Sequence, residues 1–156
     1  MKQYLIGLFE FNSWANEKVL AQVPSMTDSS EAVRLFSHLI NSQNKWMNRI
    51  AGTQPDSALS WDSPAYPLTD CLPLWKESVG TWINYLDGLA ENEVEKEFLF
   101  QSSEGGKYGA TIADIALQLN YHSIHHRAQI MMLLRSQGIA PPAVDYILRR
   151  RRTISS

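Results

Sequence analysis

The four histidines of the chain are His38, His122, His125 and His126, so three of them fall within five residues. Successive residues of a helix project at about 100°, which puts His122 and His126 ~40° apart and one turn along the axis. Two imidazoles placed in that way converge on one ion. His125 projects ~100° away from His126 by the same geometry. The pair shares a stripe with Ile115, Leu119, Ile130 and Leu133, which turns it towards an apolar interior where imidazoles need partners. His38, on a helical face bounded by Leu35 and Ser42, is placed to supply a third nitrogen from across the core. Closed structural zinc sites use four protein ligands, whereas three leave positions for water or substrate. Imidazole suits Zn²⁺, Ni²⁺ and similar ions. An open site of that kind offers two chemistries, activation of water for hydrolysis or stabilisation of a thiolate. The competing reading of the same residues is a partly buried imidazole layer bonded to carbonyls or water, with no metal.

The elements that must position these histidines are helical. Tyr4, Leu5, Leu8, Phe11, Ala15, Val19 and Gln22 keep helical spacing up to Pro24, which predicts a first helix over 4–22. Asp28 with Glu31 three positions on resembles a capping box and starts a second helix near Ser29. That helix carries Leu35, Phe36, Leu39, Ile40, Trp46, Met47 and Ile50, and Gly52 stands where a left-handed cap is needed. Thr53 to Leu68 holds Pro55, Pro64 and Pro67 and reads as a long connection. Thr69 reads as the N-cap of a third helix to about Ala90, with Pro73 expected in its first turn. Phe98 to Phe100, a Gly-containing turn over Ser102 to Gly106, and Tyr108 predict a small hairpin. Thr111 with Asp114 then opens a fourth helix of about 26 residues, closed by Gly138, Pro141 and Pro142. Four amphipathic helices in one domain predict an all-α four-helix bundle with a hairpin before the last long helix. The long second connection allows the second and third helices to run parallel.

Composition sets the outer limits. With 156 residues, 44% hydrophobic and 19% charged, the chain has the size and make-up of one globular domain over 1–156. Its net charge is -2, and without Arg149, Arg150, Arg151 and Arg152 it becomes -6, with 10 basic against 16 acidic residues. Such a body is a poor partner for nucleic acid. A lone cysteine, Cys71, forms no intrachain disulfide, and Glu10 and Asn12 interrupt the N-terminal apolar stretch, so a cytoplasmic location is expected. No uncharged apolar run approaches the ~20 residues of a membrane span. Cys71 is expected to be a small buried hydrophobe and not a nucleophile. Trp46, Trp75 and Trp82 fall on apolar stripes and read as core, while Trp14 and the loop residue Trp61 are freer to line a pocket. The arginine run reads as a solvated terminus.

Three stretches carry a family likeness: Leu8-Phe9-Glu10-Phe11-Asn12-Ser13-Trp14-Ala15-Asn16, Phe36-Ser37-His38-Leu39, and Asn120 to Ile130 with its His-x-x-x-His-Arg run. In order and spacing the whole chain resembles the DinB family of damage-inducible bacterial proteins, related to the DinB/YfiT-like thiol-transferase group. The resemblance implies an up-down-down-up bundle, frequent homodimers, and a divalent metal held by one histidine of the second helix and two of the fourth. Residue by residue these are His38, His122 and His126. Two positions depart from the family pattern: Ala128 stands where glycine is usual, and Gln118 where some members carry a further histidine. Neither removes a ligand. Arg127 and Gln129 follow the pair and are candidates for outer-shell donors or for packing.

The reading is a metal-dependent enzyme, with Zn²⁺ or Ni²⁺ on three histidines, acting on a small-molecule substrate. Relatives suggest transfer of a low-molecular-weight thiol, which no residue here specifies, and no general base or other catalytic side chain stands out. The alternative is a non-catalytic, stress-associated dimeric bundle whose metal is structural or incidental. An enzyme requires an open pocket at the metal, and a structural ion a fourth protein ligand.

Overall fold

The computed structural model describes residues 1–102 and 104–154. Four long helices, α1 (Lys2–Leu20), α2 (Ser30–Ala51), α3 (Leu68–Gly88) and α4 (Ile112–Ser136), are joined by a hairpin of β1 (Glu97–Gln101) and β2 (Lys107–Thr111) before α4. A short α5 (Tyr146–Arg150) follows. Helices α1 and α2 each pack along both α3 and α4. No helix of the described residues is long and apolar enough to cross a membrane.

Local signals explain most boundaries. Gly52 adopts φ 64°, the left-handed cap that ends α2, and its N–H bonds the Asn48 carbonyl. Thr111 and Asp114 form the reciprocal capping box that starts α4, and Gly138 at φ 75° turns the chain after it. The Asp28 carboxylate accepts from the N–H and the hydroxyl of Ser30. Glu31 does not complete a box there; it pairs with Arg34 one turn on. β1 and β2 pair antiparallel, with Leu99 opposite Gly109. Of the expected turn, Ser103 lies outside the described residues, as do Ser155 and Ser156 at the end of the expected domain.

Two expectations change. The first helix stops at Leu20, because Gln22 N–H turns to the Val19 carbonyl and the chain enters a 3₁₀ turn over Val23–Ser25. Thr69 is not the cap of α3. The helix begins at Leu68 behind Pro67, and the Thr69 hydroxyl donates to the Asp70 carboxylate instead. Pro73 therefore sits beyond the first turn and leaves the Thr69 carbonyl without its helical donor. The arginine run is exposed, as a solvated terminus should be, although Arg149 and Arg150 fall within α5.

The apolar interior forms two clusters. Leu5, Phe9, Leu39, Trp82 and Leu119 belong to one, and Phe11, Val19, Leu35, Phe36 and Ile130 to the other. Phe9 stacks on Trp82 at 5.5 Å, and the indole N–H of Trp82 donates to the Gln43 carbonyl. Burying side chains of this size stabilises by roughly 1.5–3 kcal/mol each. On α4 the changeover between clusters, from Leu119 to Ile130, is where the polar residues gather. His38 on α2 and Asn12 and Asn16 on α1 come from the same level.

Candidate metal centre

His38 from α2 and His122 and His126 from α4 meet at this level. Nε2 of His122 lies 3.0 Å from that of His38 and 2.8 Å from that of His126. All three rings are half-buried, and one ligand atom from each falls within 4.8 Å of the others. The helical spacing delivers the pair, since one turn of α4 puts the two rings edge to face at 4.4 Å between centroids.

The far side of each flanking ring orients it. Nδ1 of His38 is 3.0 Å from the Trp61 carbonyl and 3.1 Å from Oδ1 of Asp62. Nδ1 of His126 is 2.6 Å from Oε1 of Gln129. Nitrogens facing oxygen acceptors carry the proton, so the Nε2 lone pairs of His38 and His126 point inward. Nε2 of His122 lies between those two lone pairs. The arrangement is one that could hold a metal ion, and it has the outer hydrogen bonds that metal-bound imidazoles need. Metal–N bonds of ~2.0–2.1 Å put cis ligand atoms ~3 Å apart, in keeping with the two spacings. Burial, then the neighbouring histidines, pushes His122 down from 6.5 to about 4. Burial also lowers His126, against the opposing hydrogen bond that its ring donates to Gln129. Both rings are held in the neutral, ligating form at neutral pH.

Two clefts of about 350 Å³ each flank the histidines. One is walled by His38, Trp46, Trp61, Gln118, Leu119 and His122. The other has His126 and Gln129 beside Arg34 and Glu31. Trp46, expected in the core, is only partly buried and stands at the first cleft, 4.9 Å from Phe100 and with the Arg49 guanidinium over its ring. Trp61 lines that cleft as well. Trp14 does not; it packs on Phe11 beneath Lys18 and Arg149.

Gln129 occupies the outer-shell position, but Arg127 does not. Its guanidinium turns to α1, where Nη1 donates to Asn12 at 2.6 Å and Asn16 at 3.1 Å, and burial lowers it to about 10. The reason is angular: one residue beyond His126 is ~100° round the helix, on the α1 side. His125 is exposed, and its Nε2 meets Gln129 at 3.4 Å. Cys71 is fully buried, and burial pushes its thiol up. Asp62 and the Trp61 carbonyl were not legible in the sequence as partners of His38, because a proline-rich connection has no periodicity to place them. The connection is anchored by Asp56, whose carboxylate holds Arg49 at 2.6 Å and Lys45 at 3.2 Å.

The DinB family model matches residues 1–155. The chain belongs to the DinB family. Among curated proteins it is similar to Protein DinB of Bacillus subtilis (strain 168), 22% identical over 162 aligned positions that cover 94% of this chain and 93% of that protein. No solved structure matches at a significant level. Within this DinB-family chain, the His-x-x-x-His-Arg run divides its labour: the two histidines face α2 and the arginine faces α1.

Proposed function

We propose that this DinB-family protein is a metal-dependent enzyme in which His38, His122 and His126 hold one divalent ion, Zn²⁺ or Ni²⁺, for reaction of a small molecule, with thiol transfer the reaction class. The observation that carries this reading is the inward convergence of three Nε2 atoms. A bound divalent ion supplies positive charge that keeps a small thiol as thiolate at neutral pH, where a free thiol of pKa ~8.5 is mostly protonated. The protein's own part is orientation and shelter. Trp61 and Gln129 keep the imidazoles aimed, Trp46 and Leu119 exclude water from one side, and the Gln118 amide offers substrate a hydrogen bond. In the transfer a sulfur–carbon bond forms, the electrophile's leaving group departs with its electron pair, and the thiol proton passes to water. Three ligands with clefts on both sides favour an exchangeable ion over a structural one. We also infer an up-down-down-up course, supported by the shared packing of α1 and α2 on α3 and α4.

The test is elemental analysis of untagged protein, followed by thiol-conjugation assays with several thiols and electrophiles. About one ion per chain and a rate that follows metal content are expected, by the three-ligand argument above. Cys71→Ser should leave the rate unchanged, since that thiol is buried. Absence of bound metal removes the reading; bound metal without any metal-dependent rate removes the thiol-transfer part and leaves the non-catalytic bundle.

A further inference from the structure

Away from the histidine clefts, a cavity of about 560 Å³ opens where α1, α4 and the segment entering α5 meet. Arg127 lines it, although its side chain is only 5% exposed. The guanidinium lies 5.3 Å over the ring of Phe11, and Nη1 is held by the two asparagine oxygens. Those amides orient the cation without neutralising it. Among the described residues Arg127 is in no ion pair. Its Nε and Nη2 make no hydrogen bond to protein there and are not fully enclosed. The cavity is thus walled by a buried cation with free donors, a situation that costs several kcal/mol in general unless an anion completes it.

The remaining lining defines the ligand. Arg135, two turns further along α4 and exposed, adds a second guanidinium at the same cavity. Phe11, Met131, Val144 and Tyr146 supply apolar and aromatic walls. Asp145 is exposed at the same cavity and adds one negative charge of its own, which opposes a dianion more than a monoanion. We propose that this cavity is a second ligand site, independent of the histidines, that binds a small organic monocarboxylate with its carboxylate on Arg127 and Arg135 and its apolar body against Phe11 and Met131.

The experiment is calorimetric titration of the full chain at low salt with phenylacetate, 2-phenylethanol and phenyl phosphate, with shift mapping by NMR. Phenylacetate should bind saturably, about tenfold tighter than 2-phenylethanol, the step expected for a charge-assisted bond to guanidinium. Arg135→Ala, a surface change, should weaken phenylacetate several-fold and leave 2-phenylethanol alone, as loss of one charged donor requires. Arg127→Lys should abolish the preference for the acid, because a single ammonium does not reproduce the fork. If that variant does not fold, Arg135→Ala and shifts confined to Met131, Val144 and Tyr146 decide the matter. No saturable binding, equal binding of acid and alcohol, tighter binding of phenyl phosphate, or indifference to Arg135→Ala each overturns the proposal. Loading the histidines with metal should not change the affinity, and a large change would refute the independence of the two sites.

Discussion

Towards α2, α4 presents His122 and His126, whose Nε2 atoms meet that of His38; towards α1, it presents Asn120, Ser123 and Arg127. In the second layer donors meet acceptors inside the protein: Asn12 donates to Asn120 at 2.6 Å, Asn16 to Ser123 at 2.8 Å, and Arg127 to both α1 asparagines. In the first layer acceptors meet acceptors, and the hydrogen bonds lie on the outside of the rings. Both layers sit at one level of one helix, yet the amide layer fastens two helices and the imidazole layer turns lone pairs towards one another. The difference shows that burial alone does not mark a reactive site; the direction in which lone pairs and protons are left does.

The largest effect should come from breaking the amide layer. Arg127→Met leaves the Asn12 and Asn16 oxygens without their buried donor and should cost about 2–3 kcal/mol of stability in denaturant unfolding, in line with roughly 1–3 kcal/mol for a buried polar group left unsatisfied. Loss below about 1 kcal/mol would show that the layer does not fasten α1 to α4.

Breaking the imidazole layer should act on metal instead. His122→Ala, at the centre of the three, should lower affinity for Co²⁺ or Zn²⁺ by more than the roughly 10–100-fold that outer-shell changes cost, with helical circular dichroism intact. His125→Ala, on the exposed side, should bind metal normally. Gln129→Ala should lose roughly tenfold, as expected for an outer-shell partner, and equal affinity in that variant and the parent would separate ring orientation from binding.

The pH dependence sharpens the contrast. His122 titrates at 6.5 when unfolded and about 4 when folded, so between those values the unfolded chain holds more protons. Its contribution is complete above pH 6.5 and is lost as pH falls towards about 4. Metal-free protein should melt at a lower temperature at pH 5 than at pH 7, and His122→Asn should flatten that slope. The guanidinium of the amide layer stays charged throughout this range and adds no slope.

The smallest change should touch both layers alike. Thr111→Ala removes the cap of α4 and should cost about 1 kcal/mol of stability, with metal affinity unchanged in the folded protein. A change in affinity would mean that the start of α4 governs the histidine geometry about three to four turns away.

The sequence by itself determined what is decided within about four residues. The i, i+4 histidine pair, the Thr111–Asp114 box, the left-handed glycines at 52 and 138 and the hairpin follow from backbone geometry and short-range hydrogen bonds, which act on neighbours whatever the rest of the chain does. The tertiary structure alone decided which neighbour each helix face met. Arg127 belongs to α1 and not to the metal centre because α1 packs on that side of α4. Trp61 and Asp62 reach His38 because Asp56, Lys45 and Arg49 fold the proline-rich connection back onto α2. Trp46 faces a cleft because its ring is flanked by Phe100 of the hairpin and Trp61 of the proline-rich connection and not by a facing helix stripe alone. Such contacts join residues far apart in the chain through the packing of four helices, and periodicity, which reports only that a face is buried, carries no record of the partner it is buried against.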